Sequence, residues 1–182
     1  MVTIERKGGD RTMKSEGRGP VPRPDGGGDP PCEERRATAR RPYEGVWRFT
    51  APTVDASVPQ ARHAVRDLLV RQGVPVTEDL TQGLLLIVSE LVTNAVRHAA
   101  LVSPTLAVEV AVGAEWVRVS VEDGHPYRPT ALEADHARTG GRGLLLVREV
   151  TREAGGVCDM EHTASGGKVI WAVLPLRSTP LL

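Results

Sequence analysis

One stretch near the middle of the chain places apolar and polar residues with the period of an α-helix. Wound at about 3.6 residues per turn, its apolar positions share one arc: Leu84, Val88, Leu91, Val92, Ala95, Val96 and Ala99. The opposite arc carries Ser89, Glu90, Thr93, Asn94 and Arg97. The pattern predicts an amphipathic helix that begins near Thr77, ends at about Ala100 and turns its apolar arc towards a core.

The polar arc of this helix is unusual in kind. Asn94 lies mid-helix, where Asn is a mediocre helix former, one turn after Glu90 and one turn before His98. In these successive turns, the carboxylate can accept a proton, the carboxamide can offer an oxygen to a metal, and the imidazole can carry a positive charge. Taken alone, the stretch is more simply interpreted as a solvated helix face with one tolerated Asn.

Apolar periodicity predicts the other elements as well. A capping-box pattern at Ser57 and Gln60 opens a helix that Gly73 ends, and the remaining segments are five strands and a short helix. These segments are a strand over 46–50, a hairpin of 106–112 and 116–122, a helix over 144–150, and strands over 157–163 and 168–174. This order predicts an α+β sandwich, with helices covering one face of a mostly antiparallel sheet.

Composition bounds the class of protein. The chain has 182 residues and a net charge of zero, which argues against a general nucleic-acid binder. No apolar run is long enough to cross a bilayer, and no signal sequence is visible, so a cytoplasmic location is expected. Cys32 and Cys158 lie far apart, without metal-ligand spacing or a disulfide framework. Residues 1–42, rich in Gly and Pro, are predicted to form a disordered tail, and 177–182 a frayed end.

Two glycine-containing motifs follow the second predicted hairpin strand. Asp123-Gly124 closes that strand, and is either a turn or a placed hydrogen-bond acceptor. Residues 125–139 show no period and are predicted to be a mobile loop. The run from Gly140 to Gly143 then precedes a helix, where backbone N–H groups and the helix dipole favour an anion. Each motif alone is a weak signal.

Taken in this order and context, the three motifs resemble the N, G1 and G2 boxes of the GHKL ATPase superfamily. Four segments are most similar to the bacterial anti-sigma-factor serine/threonine kinase branch: SELVTNAVRHA, VEDGHPYRP, GGRGLLLV and GGKVIW. The resemblance covers roughly residues 46–175, within a histidine-kinase-like ATP-binding domain expected over 43–176. It implies a two-layer Bergerat-type sandwich with a mixed, mostly antiparallel sheet, and ATP and Mg²⁺ as cofactors.

The resemblance also implies roles for single residues. Asn94 would coordinate Mg²⁺, Glu90 would be the general base, and Asp123 would accept a hydrogen bond from the adenine amino group. Further nucleotide contacts are expected from Arg97, Gly124, Gly141, Arg142, Gly143 and Leu144. Pro126 stands where the family often carries a second glycine, which reshapes the adenine side. The sequence further suggests a structural role for His98, a solvent-facing Lys168 and a core Trp171.

The sequence suggests three possible functions. The resemblance favours a kinase that phosphorylates a serine on a STAS-type anti-anti-sigma partner and sequesters a sigma factor, with a homodimer among the expected assemblies and no membrane or direct nucleic-acid partner. The alternative is a catalytically silent, nucleotide-dependent binding module. The ATPase domain of a histidine kinase is disfavoured, because no helical period of a phosphoacceptor domain precedes residue 46.

Overall fold

The computed structural model describes residues 4–7, 41–126 and 142–176. Most of the expected tail, most of the expected mobile loop, the C-terminal residues 177–182 and Gly141 lie outside the described residues, as does Cys32. The elements are β1 (Glu5–Arg6), β2 (Gly45–Pro52), α1 (Ser57–Arg71), α2 (Glu78–Ala99), β3 (Thr105–Val112), β4 (Trp116–Asp123), α3 (Arg142–Glu153), β5 (Val157–His162) and β6 (Lys168–Pro175).

The strands form one six-stranded sheet in the order β1-β2-β3-β4-β6-β5. Every pairing within the described ranges is antiparallel, including β4 with β6, which brings Asp123 opposite Lys168. The predicted α+β sandwich is therefore confirmed. The resemblance implied a mixed, mostly antiparallel sheet, whereas the described strands are all paired antiparallel. The register places the C-terminal end of β4, where Asp123 lies, beside the start of β6.

The core lies between the inner face of the sheet and the three helices. Residues at alternate positions of the strands point inward, including Trp47, Phe49, Val119 and Leu174, because successive side chains of a strand alternate between faces. The predicted apolar arc of α2 is buried, and this helix packs against α1, α3 and β4. None of the helices in the described ranges is both long and apolar enough to cross a membrane.

The N-terminal ends of α1 and α2 are held in different ways. Thr77 caps α2, and its Oγ1 accepts a hydrogen bond of 3.2 Å from the Leu80 N–H. The capping box at Ser57 is wrong: Ala56 is the N-cap residue of α1 and makes no side-chain cap. The Ser57 hydroxyl is instead buried and donates to the Pro52 carbonyl at 2.6 Å, so it ties the helix to β2.

Two expectations about β6 are wrong. Lys168 is 1% exposed rather than solvent-facing, because it shares the inward alternation of Ile170 and Leu174. Trp171 lies on the outer face of the sheet and is half-buried. Its Nε1–H donates to a Glu161 carboxylate oxygen at 2.9 Å. The pleat decides both outcomes, since neighbouring residues on a strand cannot share a face.

The first strand has no sequence signal, because two residues cannot show a period. Glu5 and Arg6 pair with Arg48 and Trp47 at the edge of β2, and the Arg6 guanidinium lies 5.7 Å from the Trp47 ring centroid. The Arg6 side chain also donates to the Glu44 carbonyl at 3.0 Å. This segment therefore covers part of an edge that would otherwise expose unpaired backbone groups.

Leu91→Ala should lower the free energy of unfolding by about 2–5 kcal/mol, since Leu91 is buried between α2 and the sheet. Leu101→Ala is the matched control, because Leu101 is 100% exposed and should cost much less. Urea unfolding followed by circular dichroism measures both. Equal losses in the two variants would contradict the assigned core.

Candidate functional site

The polar arc of α2 faces the beginning of α3 and forms a small cleft. Its lining comprises Glu90, Thr93, Asn94, Arg97, His98, Gly143 and Leu144. The cleft exists because α2 buries its other face in the core and α3 begins directly opposite the polar arc. The structure thus brings together five of the predicted site residues from two of the three motifs.

Glu90 and Gly143 are in direct contact across this cleft. A Cβ built at position 143 would collide with Oε2 of Glu90, which is the far end of a flexible side chain, so a larger residue there would displace the carboxylate. Arg142 is exposed beside it, whereas the Leu144 side chain also packs into the core. The glycine motif therefore serves close packing on Glu90 as well as backbone access.

Asn94 carries an unsatisfied polar atom. Its Nδ2 is buried and has no hydrogen-bond partner among the described residues, which is costly unless a ligand supplies one. Rotation of the carboxamide exchanges its oxygen and nitrogen, so this position can offer an oxygen to a metal. Mg²⁺ binds oxygen ligands and keeps several waters, so one carboxamide with phosphate oxygens suffices. The described ranges contain no cluster of three His, Cys, Asp or Glu that would hold a metal by themselves.

The second part of the site is a buried ion pair at the ends of β4 and β6. Lys168 Nζ lies 2.9 Å from Asp123 Oδ1, and their side chains are 1% and 2% exposed. The same oxygen accepts a 2.8 Å hydrogen bond from the His125 backbone N–H. Sequence reasoning missed Lys168 as a site residue, although its alternation with Ile170 could have revealed the inward direction.

Two glycines allow the backbone to close around this pair. A Cβ on Gly167 would collide with the Asp123 carbonyl oxygen, and one on Gly124 would lie 3.1 Å from Ser103 Oγ. The start of β6 therefore lies directly on the end of β4. Gly124 itself is exposed, so the Asp123 end of the site borders the surface.

Electrostatics link the two parts. The pKa of His98 is lowered from its usual 6.5, first by loss of hydration where the partly exposed ring faces the protein, and then by the positive charges of Lys168, His125 and Arg97. The Asp123 carboxylate opposes this shift. The C-terminal turn of α2 therefore lies within electrostatic range of the buried pair of Asp123 and Lys168.

A comparison with known protein families decides the identity of this fold. The family described as histidine kinase-like ATPase domain matches residues 51–174, which include Glu90, Asn94, Asp123 and Lys168. The chain belongs to this family. ATP is therefore the ligand that this ATPase domain is expected to bind. The matched residues include all three motifs.

Solved structures similar to this ATPase domain include kinases. The mycobacterial sensor histidine kinase MprB is 19% identical over 71% of this chain and 99% of that chain, with a TM-score of 0.44. The catalytic domain of histidine kinase ThkA is 17% identical over 70% and 95%, with a TM-score of 0.48. The histidine kinase domain of a blue-light activated kinase from Erythrobacter litoralis is 25% identical over 54% and 45%, with a TM-score of 0.42. Among curated proteins, none matches the chain.

Asn94→Ala should weaken Mg-ATP binding by about tenfold or more, on the scale of one lost charge-assisted contact. The physical reason is that the variant removes the carboxamide that can offer an oxygen to Mg²⁺ and whose buried nitrogen lacks a partner. Gln82→Ala is the control, because Gln82 is an exposed carboxamide on the same helix. Isothermal titration calorimetry measures both variants, and unchanged affinity in Asn94→Ala would exclude Asn94 as a metal ligand.

His98 should make the domain more sensitive to acid. Because its folded pKa lies below the usual 6.5, the unfolded chain binds the proton more readily. Stability should therefore fall as the pH drops through about 6.5 and level off below the folded pKa. His98→Gln should reduce the difference in melting temperature between pH 7.5 and pH 5.5, whereas the exposed His63→Gln on α1 should retain it. Identical pH profiles for His98→Gln and the wild type would refute this assignment.

Proposed function

We propose that this ATPase domain is a cytoplasmic protein serine kinase that phosphorylates a STAS-type anti-anti-sigma partner and holds a sigma factor. One observation carries the kinase part of the proposal. The Glu90 carboxylate stands one helical turn before the unpaired Asn94 carboxamide, against the first turn of α3. The segments SELVTNAVRHA and GGRGLLLV support the choice of the anti-sigma-factor kinase branch.

The chemistry of the acceptor explains why Glu90 matters. A serine hydroxyl is a weak nucleophile, and a positioned carboxylate that takes its proton accelerates transfer by about 10²–10⁴-fold. Glu90 is half-buried and forms no ion pair within the described residues, so its carboxylate is available to accept a proton. A residue with these properties beside a metal ligand fits a general base.

The proposed reaction follows from these positions. Glu90 accepts the proton of the serine hydroxyl as the oxygen bonds to the γ-phosphorus, and the bond to the leaving ADP oxygen breaks. Asn94 would hold Mg²⁺, which neutralises phosphate charge when it is bound. The exposed Arg97 and Arg142 stand at the rim, and their planar guanidinium groups suit phosphate oxygens.

A catalytically silent module that binds its partner in a nucleotide-dependent way is the second candidate. The contact between Glu90 and Gly143 favours it, because packing against α3 gives the carboxylate a structural purpose without any transfer. The two candidates share the nucleotide site and differ in whether Glu90 acts on a hydroxyl.

Glu90→Gln separates them, because glutamine keeps the shape but cannot take up the proton. In a kinase, phosphate transfer from [γ-³²P]ATP to STAS partners from the same genome should fall about 10²-fold or more, while ATP affinity persists. Glu78→Gln is the control, since Glu78 is exposed in the first turn of the same helix. Acid-stable label on the partner distinguishes phosphoserine from phosphohistidine.

Each result of this experiment has a defined meaning. Equal, robust transfer by Glu90→Gln and the wild type would remove Glu90 as the base. No transfer by the wild type to any cognate partner, with ATP binding intact, would favour the silent module. A pull-down of sigma factors with the wild type and Glu90→Gln tests the sequestration separately, because binding does not require the base.

A further inference from the structure

We propose that Lys168 sets the base selectivity of the nucleotide site by fixing the hydrogen-bonding group that Asp123 presents to the base. This inference rests on the proposed function, in that Asp123 is taken to contact the base of the nucleotide. Lys168 acts through Asp123 and is therefore a positioning residue. The Lys168 side chain is the largest among those fully buried in the described ranges.

Its burial needs a reason beyond stability. The other inward positions of β6 are apolar, including Ile170, Ala172 and Leu174. Removing an ammonium and a carboxylate from water is costly, and well-packed apolar residues often serve a fold as well as a buried ion pair does. A lysine at the first inward position, beside a carboxylate that borders the surface at Gly124, therefore points to a requirement of the site.

The geometry constrains one oxygen of Asp123. Lys168 Nζ at 2.9 Å and the His125 backbone N–H at 2.8 Å both donate to Oδ1. Lys168 Nζ also lies 3.4 Å from the His125 carbonyl oxygen, so the ammonium bridges the side chain and the following backbone. Because two donors already bond to Oδ1, a ligand would have to donate its hydrogen bond to Oδ2.

Charge fixes the chemical character of Oδ2. Lys168 places a positive counter-charge 2.9 Å from Oδ1, and a carboxylate accepts hydrogen bonds but cannot donate them. The site therefore presents an acceptor to the base. The 6-amino group of adenine donates a hydrogen bond, whereas a 6-oxo purine offers an acceptor oxygen at the same place. The pair of Lys168 and Asp123 consequently selects ATP against ITP, which differ at that position.

Lys168→Met tests the counter-charge directly. Without the ammonium, the Asp123 carboxyl group loses its counter-charge and one of the two donors that hold Oδ1, so it no longer presents a fixed acceptor to the base. The wild type should bind Mg-ATP about tenfold or more tightly than Mg-ITP, and this ratio should fall to about one or below in Lys168→Met. Competition calorimetry with the two nucleotides measures the ratio. A purely structural ion pair would not change it in the folded variant.

Arg48→Met is the matched control. Arg48 donates to a Glu122 carboxylate oxygen at 2.6 Å on the outer face of the same sheet, one residue before Asp123. This variant also deletes a positive charge paired with β4 but leaves Lys168 and Asp123 in place. Its ratio of ATP to ITP affinity should equal that of the wild type.

Asp123→Asn keeps the test decisive if Lys168→Met does not fold. The carboxamide has the same shape, and Lys168 and the His125 N–H both require its oxygen at the Oδ1 position. The amide NH₂ must then occupy the Oδ2 position and present a donor. Selectivity should therefore invert, with Mg-ITP bound more tightly than Mg-ATP.

The outcomes separate this inference from the function on which it rests. Retained preference for ATP in folded Asp123→Asn, or in folded Lys168→Met, would overturn the role of Lys168. Equal affinity of the wild type for Mg-ATP and Mg-ITP would overturn the inference and leave the proposed kinase intact. A wild type that binds neither nucleotide would overturn both. Reduced selectivity in Lys168→Met and inversion in Asp123→Asn support it.

Discussion

Burial of the apolar arc of α2 is the constraint on which the rest of this domain depends. The helix lies against β4 and between α1 and α3, so its orientation fixes which side chains face away from the core. Glu90 and Asn94 face α3 because Leu91, Val92 and Ala95 face inward. A rotation of the helix by one residue would bury the carboxylate and expose the core. Stability and site geometry are therefore set by the same packing.

The sheet provides the other half of the site through its register. Antiparallel pairing of β4 and β6 puts Asp123 opposite Lys168, and the pleat turns both side chains towards the helices. The two partners lie 45 residues apart along the chain. The positive charges of Lys168 and Arg97, which both disfavour protonation of His98, link this end of the sheet to the last turn of α2.

Membership of the histidine kinase-like ATPase domain family gives the site a ligand, but the identity of the acceptor depends on particular side chains. In the proposed kinase, Glu90 would supply the base for a hydroxyl acceptor, and its carboxylate lies against Gly143. Asn94 supplies the unpaired amide. The choice between the kinase and the binding module thus depends on the Glu90 carboxylate. The proposed base selectivity depends on the ion pair of Lys168 and Asp123 at the other end of the site.

The sequence by itself determined the elements whose signal is local. Periodicity located α2, its start near Thr77 and the hairpin of β3 and β4, and the order of three motifs identified Glu90, Asn94 and Asp123 as candidates. Tertiary structure alone decided the contacts between distant segments. The Ser57 hydroxyl bonds to Pro52 instead of capping its helix, β1 adds to the edge of the sheet, and Lys168 meets Asp123. These outcomes depend on strand register and on burial, and a local pattern does not encode which partner lies across a sheet.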